Sequence, residues 1–411
     1  MKQDNFKVYG YRWIVLVAFM FIVAITQLLW ITFAPITSNA TQFYGVSDLS
    51  IGLLSMSFMI VYIVVSIPAS WVIDTYGIRV GVGIGALLTA VFGLLRGVWA
   101  ANYNLVLIAQ IGVAIGQPFV LNAVTTVAAR WFPVRERATA SGLGSLAMYL
   151  GIFLGLALTP YLTIHFQMGG MLLAYGIASV VAALIFIVFV KERPATPPCP
   201  PGMEVRSLVF DGFKKMLQQK EFILLLVIFF IGLGAFNAVT TWIEDIVRPN
   251  GFSSTQAGTI GGLMIVGGIL GALVIPTLSD HYRKRTPYIK VALVGATLGL
   301  AGIAYATSYW LLLVAAFVMG FFLLSAGPIG FQYGAEITYP APEGTSNGLL
   351  ILMGQISGIV FIFGMDSFKS PANGSMTLSL IALIVLMVLS LGISFFLKEP
   401  QTLLTGGEKP G

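Results

Sequence analysis

One cysteine and two histidines are all that the 411 residues offer to a disulfide or a metal ion. Cys199 has no second thiol to pair with, and His165 and His281 lie too far apart in sequence to suggest a metal site. Charge is scarce as well: Asp, Glu, Lys and Arg make up 9% of the chain against 57% hydrophobic residues, with a mean hydropathy of +0.92. These proportions exclude an ordinary soluble domain. No apolar run pairs a nucleophile with a base and there is no glycine-rich phosphate loop, so neither an enzyme nor a cofactor is expected.

What the chain has is apolar length. About twelve runs of roughly 20 mostly apolar residues alternate with short polar turns, each run long enough for a helix to cross a bilayer. They fall near 12–38, 49–73, 79–99, 103–130, 139–163 and 168–190, then 221–247, 256–278, 287–307, 309–335, 345–366 and 373–397. The first is too long for a signal-peptide core and has no small-residue cleavage site, so it reads as a retained helix. The expected fold is an all-α membrane protein, twelve transmembrane helices in two pseudo-symmetric six-helix bundles over 1–190 and 221–411. The connector 191–220 is rich in proline, which forbids a continuous helix, and its basic, amphipathic stretch at 209–217 suits an anionic membrane surface.

The net charge of +6 could suggest nucleic acid, but the placement of the charge argues otherwise. With the amino terminus inside the cell, 19 of the 22 Lys and Arg fall in cytoplasmic segments. Arg96, Arg248 and Lys369 fall near the outer ends of spans, and Arg96 is expected to snorkel outward on its long stem. The positive-inside rule then places both termini in the cytoplasm of a multi-pass cell-membrane protein. Its expected partners are the lipid bilayer and a small-molecule solute, with no nucleic acid, and the expected state is a monomer.

The chain also repeats itself. Asp74 and Asp280 each follow an apolar run and open a short stretch of charge and glycine, 206 positions apart. Trp131-Phe132-Pro133-Val134-Arg135-Glu136 is answered by Thr338-Tyr339-Pro340-Ala341-Pro342-Glu343, with Glu136 and Glu343 separated by 207. Repetition of whole membrane halves is how many secondary transporters are built. Glycine pairs at 81 and 85, 151 and 155, and 267 and 271 are spaced for close helix contact, and prolines at 35, 68, 118, 160, 276 and 328 are compatible with kinks.

The segment from Ser70 to Arg79, with Asp74, Gly77 and Arg79, resembles the signature loop of the major facilitator superfamily, and the segment from Gly271 to Arg285, with Asp280 and Arg283, is its second copy. A carboxylate at such a helix end can cap neighbouring helix N-termini and pair with arginine, so these loops, with Glu136 and Glu343, are expected to latch the cytoplasmic side during the transport cycle. Ser70 stands where the superfamily usually has glycine. Within the superfamily the chain is most similar to the feline leukaemia virus subgroup C receptor family of haem, choline and ethanolamine transporters. The resemblance lies in Trp30 to Asn39 with Phe43-Tyr44-Gly45-Val46-Ser47, in Leu54-Ser55-Met56, in Glu336-Ile337-Thr338-Tyr339-Pro340, and in Glu343-Gly344-Thr345-Ser346-Asn347-Gly348.

Polar side chains near the bilayer midplane are costly and mark a solute path. Gln27 and Trp30 lie three apart on one face of span one, Gln117 adjoins Pro118, Asn237 precedes Thr240 and Thr241, and Gln355 lies in span eleven. The resemblance implies a Trp at Trp30 and glutamines at Gln117 and Gln355 around a cationic solute, and a Tyr where this chain has Asn237. Trp242, Phe33 or Tyr149 would then have to supply a second aromatic wall. A tryptophan face attracts cations and amide oxygens orient a hydroxyl or an ammonium. Each residue also has a plainer reading, as packing or as a helix-to-helix hydrogen bond of about 1 kcal/mol. With no acid near the middle of any span, the expected activity is uniport of a cationic or zwitterionic amine such as choline or ethanolamine by alternating access. Export of amphipathic or porphyrin-like compounds, an organic-anion carrier and a transport-inactive sensor remain alternatives.

Overall fold

The computed structural model describes residues 8–133, 136–196, 216–338 and 343–400, the side chains of Ala138, Glu343 and Gly344 excepted. The proline-rich connector residues 197–215 and residues 339–342, on which expectations above fall, lie outside the described residues. The chain divides into two compact units, Met1–Ser207 and Leu208–Gly411.

In unit 1, α1 is Arg12–Ile31, continued by a 3-10 turn Ala34–Ile36 and a short helix Thr37–Tyr44; α2 is Asp48–Tyr76, α3 Ile78–Val98 and α4 Tyr103–Leu121, continued by Val124–Trp131. The next helix, Arg137–Phe189, would be roughly 80 Å long if straight, more than two hydrocarbon thicknesses. It is broken at Gln167, whose φ of 59° and ψ of 178° are not helical, into α5 (137–166) and α6 (168–189). Unit 2 holds α7 Lys220–Thr241 with a short continuation Ile243–Val247, α8 Ser254–His281, α9 Thr286–Tyr305, α10 Tyr309–Thr338, α11 Glu343–Ser367 and α12 Thr377–Ser394. Among the described residues this gives twelve spans, six in each unit, each apolar and long enough to cross a membrane. Of the prolines within spans, Pro35 sits at a break and Pro118 lies inside α4 in its last turn; Pro68, Pro160, Pro276 and Pro328 lie inside continuous helices.

Local chemistry repeats with the spans. Ser47 caps α2 by accepting from the Ser50 N–H at 3.2 Å, and Ser253, 206 positions later, caps α8 by accepting from Gln256 N–H at 3.3 Å. Packing repeats too: α1 lies against α5 as α7 lies against α11, and α3 against α6 as α9 against α12. Glycine makes these approaches possible. A Cβ on Gly85 of α3 would stand 2.7 Å from the Gly116 carbonyl oxygen of α4, and one on Gly271 of α8 would run into the Phe321 carbonyl of α10. With no hydrophobic driving force between helices in lipid, such close backbone approach contributes packing that holds the helices together.

Candidate functional site

In each unit, the α2–α3 or α8–α9 turn is tied to the segment after the sixth helix. In unit 1 the Glu192 carboxylate accepts from the backbone N–H of Ile78 at 3.2 Å and of Arg79 at 2.8 Å, and pairs with Arg130. In unit 2 Glu399 accepts from the N–H of Arg285 at 3.0 Å, from the N–H of Thr286 at 2.9 Å and from the Thr286 hydroxyl at 2.7 Å. The glutamates are 207 apart, and so are Ile78 and Arg285, and Arg79 and Thr286. A carboxylate at a helix N-terminus satisfies donors that have no partner within the helix and meets the positive end of its dipole.

The expected latch residues are therefore arranged differently from their sequence reading. Asp74 is exposed at the end of α2 and caps no helix, because Glu192 occupies the α3 N-terminus. Gly77 turns the chain with a φ of 95°, and any Cβ there would strike the Glu192 carboxylate. Arg79 contributes its backbone, its side chain being exposed. In unit 2 Asp280 pairs with Arg285, which also pairs with Glu336 of α10 at 2.9 Å. Burial works against the Arg285 charge, but hydrogen bonds and attraction from Glu336 and Asp280 outweigh it and raise its pKa above the usual value, so the guanidinium stays charged. Arg283 is exposed with a φ of 50°, at the position 206 after Gly77. Glu136 pairs with Arg12 at 3.2 Å, joining the starts of α5 and α1. Glu343 opens α11.

The interior amides fall into two groups. Asn237 donates to the Gly354 carbonyl at 3.1 Å, tying α7 to α11 one residue before Gln355. Gln27, Gln117 and Gln355 make no side-chain hydrogen bond among the described residues, and none of their amide atoms is sealed from accessible surface. Gln27 and Gln117 are 4% and 6% exposed, so these amides sit deep in unit 1 with their donors and acceptors unused. Trp30 is buried, and its indole N–H donates to the Ser55 carbonyl of α2 at 3.3 Å. Gly151 of α5 meets the Ala24 backbone and Gly155 meets Leu28 and Ile31, so α5 packs on the turns of α1 that carry Gln27 and Trp30.

Two candidates for a second aromatic wall are excluded by packing. Trp242 has 0% exposure with its indole N–H donated to the Ile362 carbonyl at 3.0 Å, and Phe33 is buried against the Arg96 guanidinium. Tyr149, half-buried in α5, keeps a hydroxyl without a partner among the described residues. The snorkelling expected of Arg96 is overturned as well. Its side chain has 0% exposure and donates to the Leu29 carbonyl at 2.9 Å, the Gln110 amide oxygen at 2.7 Å and the Thr32 hydroxyl at 3.2 Å. Protein acceptors reach the guanidinium here, so it does not need the membrane surface. Glu244 and Asp245, just past α7, are buried; Glu244 accepts from Ser254 at 3.0 Å, and Asp245 pairs with Arg248 and Lys369 at 2.8 Å each.

Sequence reading missed Glu192 and Glu399. A signal was there: Lys191-Glu192-Arg193-Pro194 and Lys398-Glu399-Pro400 follow the sixth and twelfth spans at the same offset as the loops. It missed Gln110, which looks like any polar residue in a span.

The pattern that defines the Major Facilitator Superfamily matches residues 15–362. Solute carrier family 49 member A3 of Danio rerio is 30% identical over 387 residues, covering 90% of this chain and 81% of that protein. The Choline/ethanolamine transporter FLVCR2 of Homo sapiens is 28% identical over 432 residues, covering 95% of this chain and 78% of its own. Among solved structures, a D-xylose-proton symporter superposes with a TM-score of 0.77 at 16% identity, covering 98% of this chain and 100% of the symporter. An inward-facing bacterial homolog of the human lysosomal transporter Spinster gives 0.74 at 17%, with the same coverage. Twelve spans in two repeated halves, a repeated acid-capped turn and these matches make the chain a multi-pass membrane transporter rather than an enzyme, a member of the major facilitator superfamily related to the choline/ethanolamine transporters.

Proposed function

We propose that the chain carries a small cationic or zwitterionic amine, of the choline or ethanolamine class, by alternating access and without a coupled ion. The observation that supports this best is the set of three amides, Gln27, Gln117 and Gln355, left without hydrogen bonds inside apolar helices. A glutamine serving only as helix glue would be bonded to a neighbouring helix, as Asn237 is to Gly354. Trp30, three residues from Gln27, supplies the aromatic face for a cation, and Tyr149 is the aromatic still available as a second wall. One relative, the choline/ethanolamine transporter FLVCR2, is named for the same solute class.

Arg96 gives no support to an organic-anion cargo, because its terminal nitrogens are committed to Leu29, Gln110 and Thr32. Uniport fits the placement of acid: Glu244 and Asp245 are held at the end of α7 by Ser254, Arg248 and Lys369, rather than standing midway along a span. The turns around Gly77 and Arg283, with Asp74, Arg79 and Asp280, are the proposed moving parts of the gate, to which we also assign Glu136 and Glu343, on a side we assign to the cytoplasm with both termini.

The test is uptake of radiolabelled choline and ethanolamine into proteoliposomes. Saturable uptake is expected, lost in Trp30→Ala, reduced in Gln117→Ala and unchanged by an imposed pH gradient. Uptake no greater than in empty vesicles would sink the amine reading, and acceleration by a pH gradient would sink uniport.

A further inference from the structure

Arg96 and Gln110 bring four helices of unit 1 together at one point. Both side chains have 0% exposure. Arginine has donors only, so the Gln110 amide must turn its oxygen to Arg96, which it meets at 2.7 Å. That fixes the amide nitrogen in the opposite direction, where it donates to the Leu29 carbonyl of α1 and the Leu54 carbonyl of α2, each at 3.3 Å. Arg96 adds a second bond to Leu29 at 2.9 Å. Leu29 lies in the last turn of α1, where carbonyls have no helical partner to satisfy them.

The two bridged carbonyls have a telling address. The residue after Leu29 is Trp30, the residue after Leu54 is Ser55, and the Trp30 indole N–H is bonded to the Ser55 carbonyl. The amide of Gln110 therefore spans α1 and α2 one residue before the point where Trp30 is anchored. We propose that Arg96 and Gln110 are positioning residues that set the register of α1 on α2 and thereby aim the Trp30 ring at the cargo. The part concerning cargo rests on the reading of Trp30 given under the proposed function; the part concerning Trp30's orientation does not. Arg96 acts through Gln110, by holding its amide in the only flip that bridges both carbonyls.

Gln110→Glu separates this role from simple packing. The carboxylate keeps an oxygen for Arg96 and gives its buried charge a counter-ion, while removing the two donors that join Leu29 to Leu54. Arg96→Lys is the second variant, keeping charge and losing the planar fork. The protein is labelled with 5-fluorotryptophan, and the Trp30 line is assigned by its loss in Trp30→Phe. In Gln110→Glu the Trp30 19F line is expected to move by more than its width, while the Trp242 line, in unit 2, stays in place. Choline or ethanolamine uptake is expected to show KM raised roughly three- to tenfold with the maximal rate little changed. In a Trp30→Phe background the same substitution should leave KM unaltered, the signature of action through Trp30.

A Trp30 line unmoved in both variants overturns the proposal, and so does a KM effect of equal size with and without Trp30. If the line moves but Trp30→Phe transports like the parent protein, the positioning of Trp30 stands and its contact with cargo falls. If neither amine is transported at all, the 19F measurement still decides the proposal, and the amine reading alone is lost.

Discussion

The two halves agree closely at the turn between their second and third helices and disagree in their interiors. At the turn, Glu192 and Glu399 cap α3 and α9 through backbone donors 207 positions apart, the same bonds made twice. Nearby, the ion pairs differ: Arg130 at the end of α4 pairs with Glu192, whereas Glu336, 206 positions later at the end of α10, pairs with Arg285, the counterpart of Ile78. In the interior, Trp30 is answered at an offset of 207 by Asn237, and Gln110 by Phe317. Unit 1 holds the last turn of α1 with a buried arginine and an amide, whereas unit 2 joins α7 to α11 directly through Asn237. The difference separates two demands. A turn that caps a helix depends on backbone geometry, which duplication copies; the interior side chains have diverged between the halves, and it is among them that we propose the solute contacts.

The comparison breaks most severely at Arg285. Arg285→Ala leaves Glu336 half-buried without its cation, and we expect about 3 kcal/mol of lost stability. Thermal unfolding in detergent followed by intrinsic fluorescence should show it; an unchanged midpoint would mean the network contributes nothing. Positions 30 and 237 should differ in transport. Trp30→Ala is expected to lower amine uptake at least tenfold and, because the ring is buried and bonded to Ser55, to lower the melting midpoint as well, whereas Asn237→Ala should cost roughly 1 kcal/mol through the lost bond to Gly354 while transport persists. Equal transport defects at both would show that the halves contribute alike.

The repeated caps give a finer test. Glu399→Gln and Glu192→Gln should each destabilise by about 1 to 2 kcal/mol, with Glu192 the larger because the neutral amide also gives up the ion pair with Arg130. Reversal of that order would break the equivalence drawn between them. The smallest effect is expected where an arginine of unit 2 answers a positive-φ glycine of unit 1. Arg283 sits at a φ of 50° where unit 1 has Gly77 at 95°, so Arg283→Gly should be neutral or stabilise by up to about 1 kcal/mol. A loss of stability there would mean that the arginine side chain has a structural role.

Much of the fold was legible before any coordinates. Apolar runs marked the spans, and the break between the fifth and sixth, expected as a short polar turn near 164–167, is reduced to one non-helical residue at Gln167. The offset between Asp74 and Asp280 led to the right turns, but the capping acids follow the sixth and twelfth spans, more than a hundred residues further along the chain. Arg96 shows the same limit. Its place near a span end suggested snorkelling, because sequence displays distance to the membrane surface and not which acceptors lie across the next helix.

The sequence by itself determined the solvent, the number of spans and the duplication, since each follows from the amount and spacing of apolar and charged residues along one dimension. Only the tertiary structure decided which polar groups are satisfied by the protein itself. Gln110 and Asn237 carry the same amide as Gln27, Gln117 and Gln355, and composition cannot tell them apart. A hydrogen bond requires a partner within about 3 Å in a particular direction, which only the packing of the helices sets, and the amides it leaves without one among the described residues are those we propose for the solute.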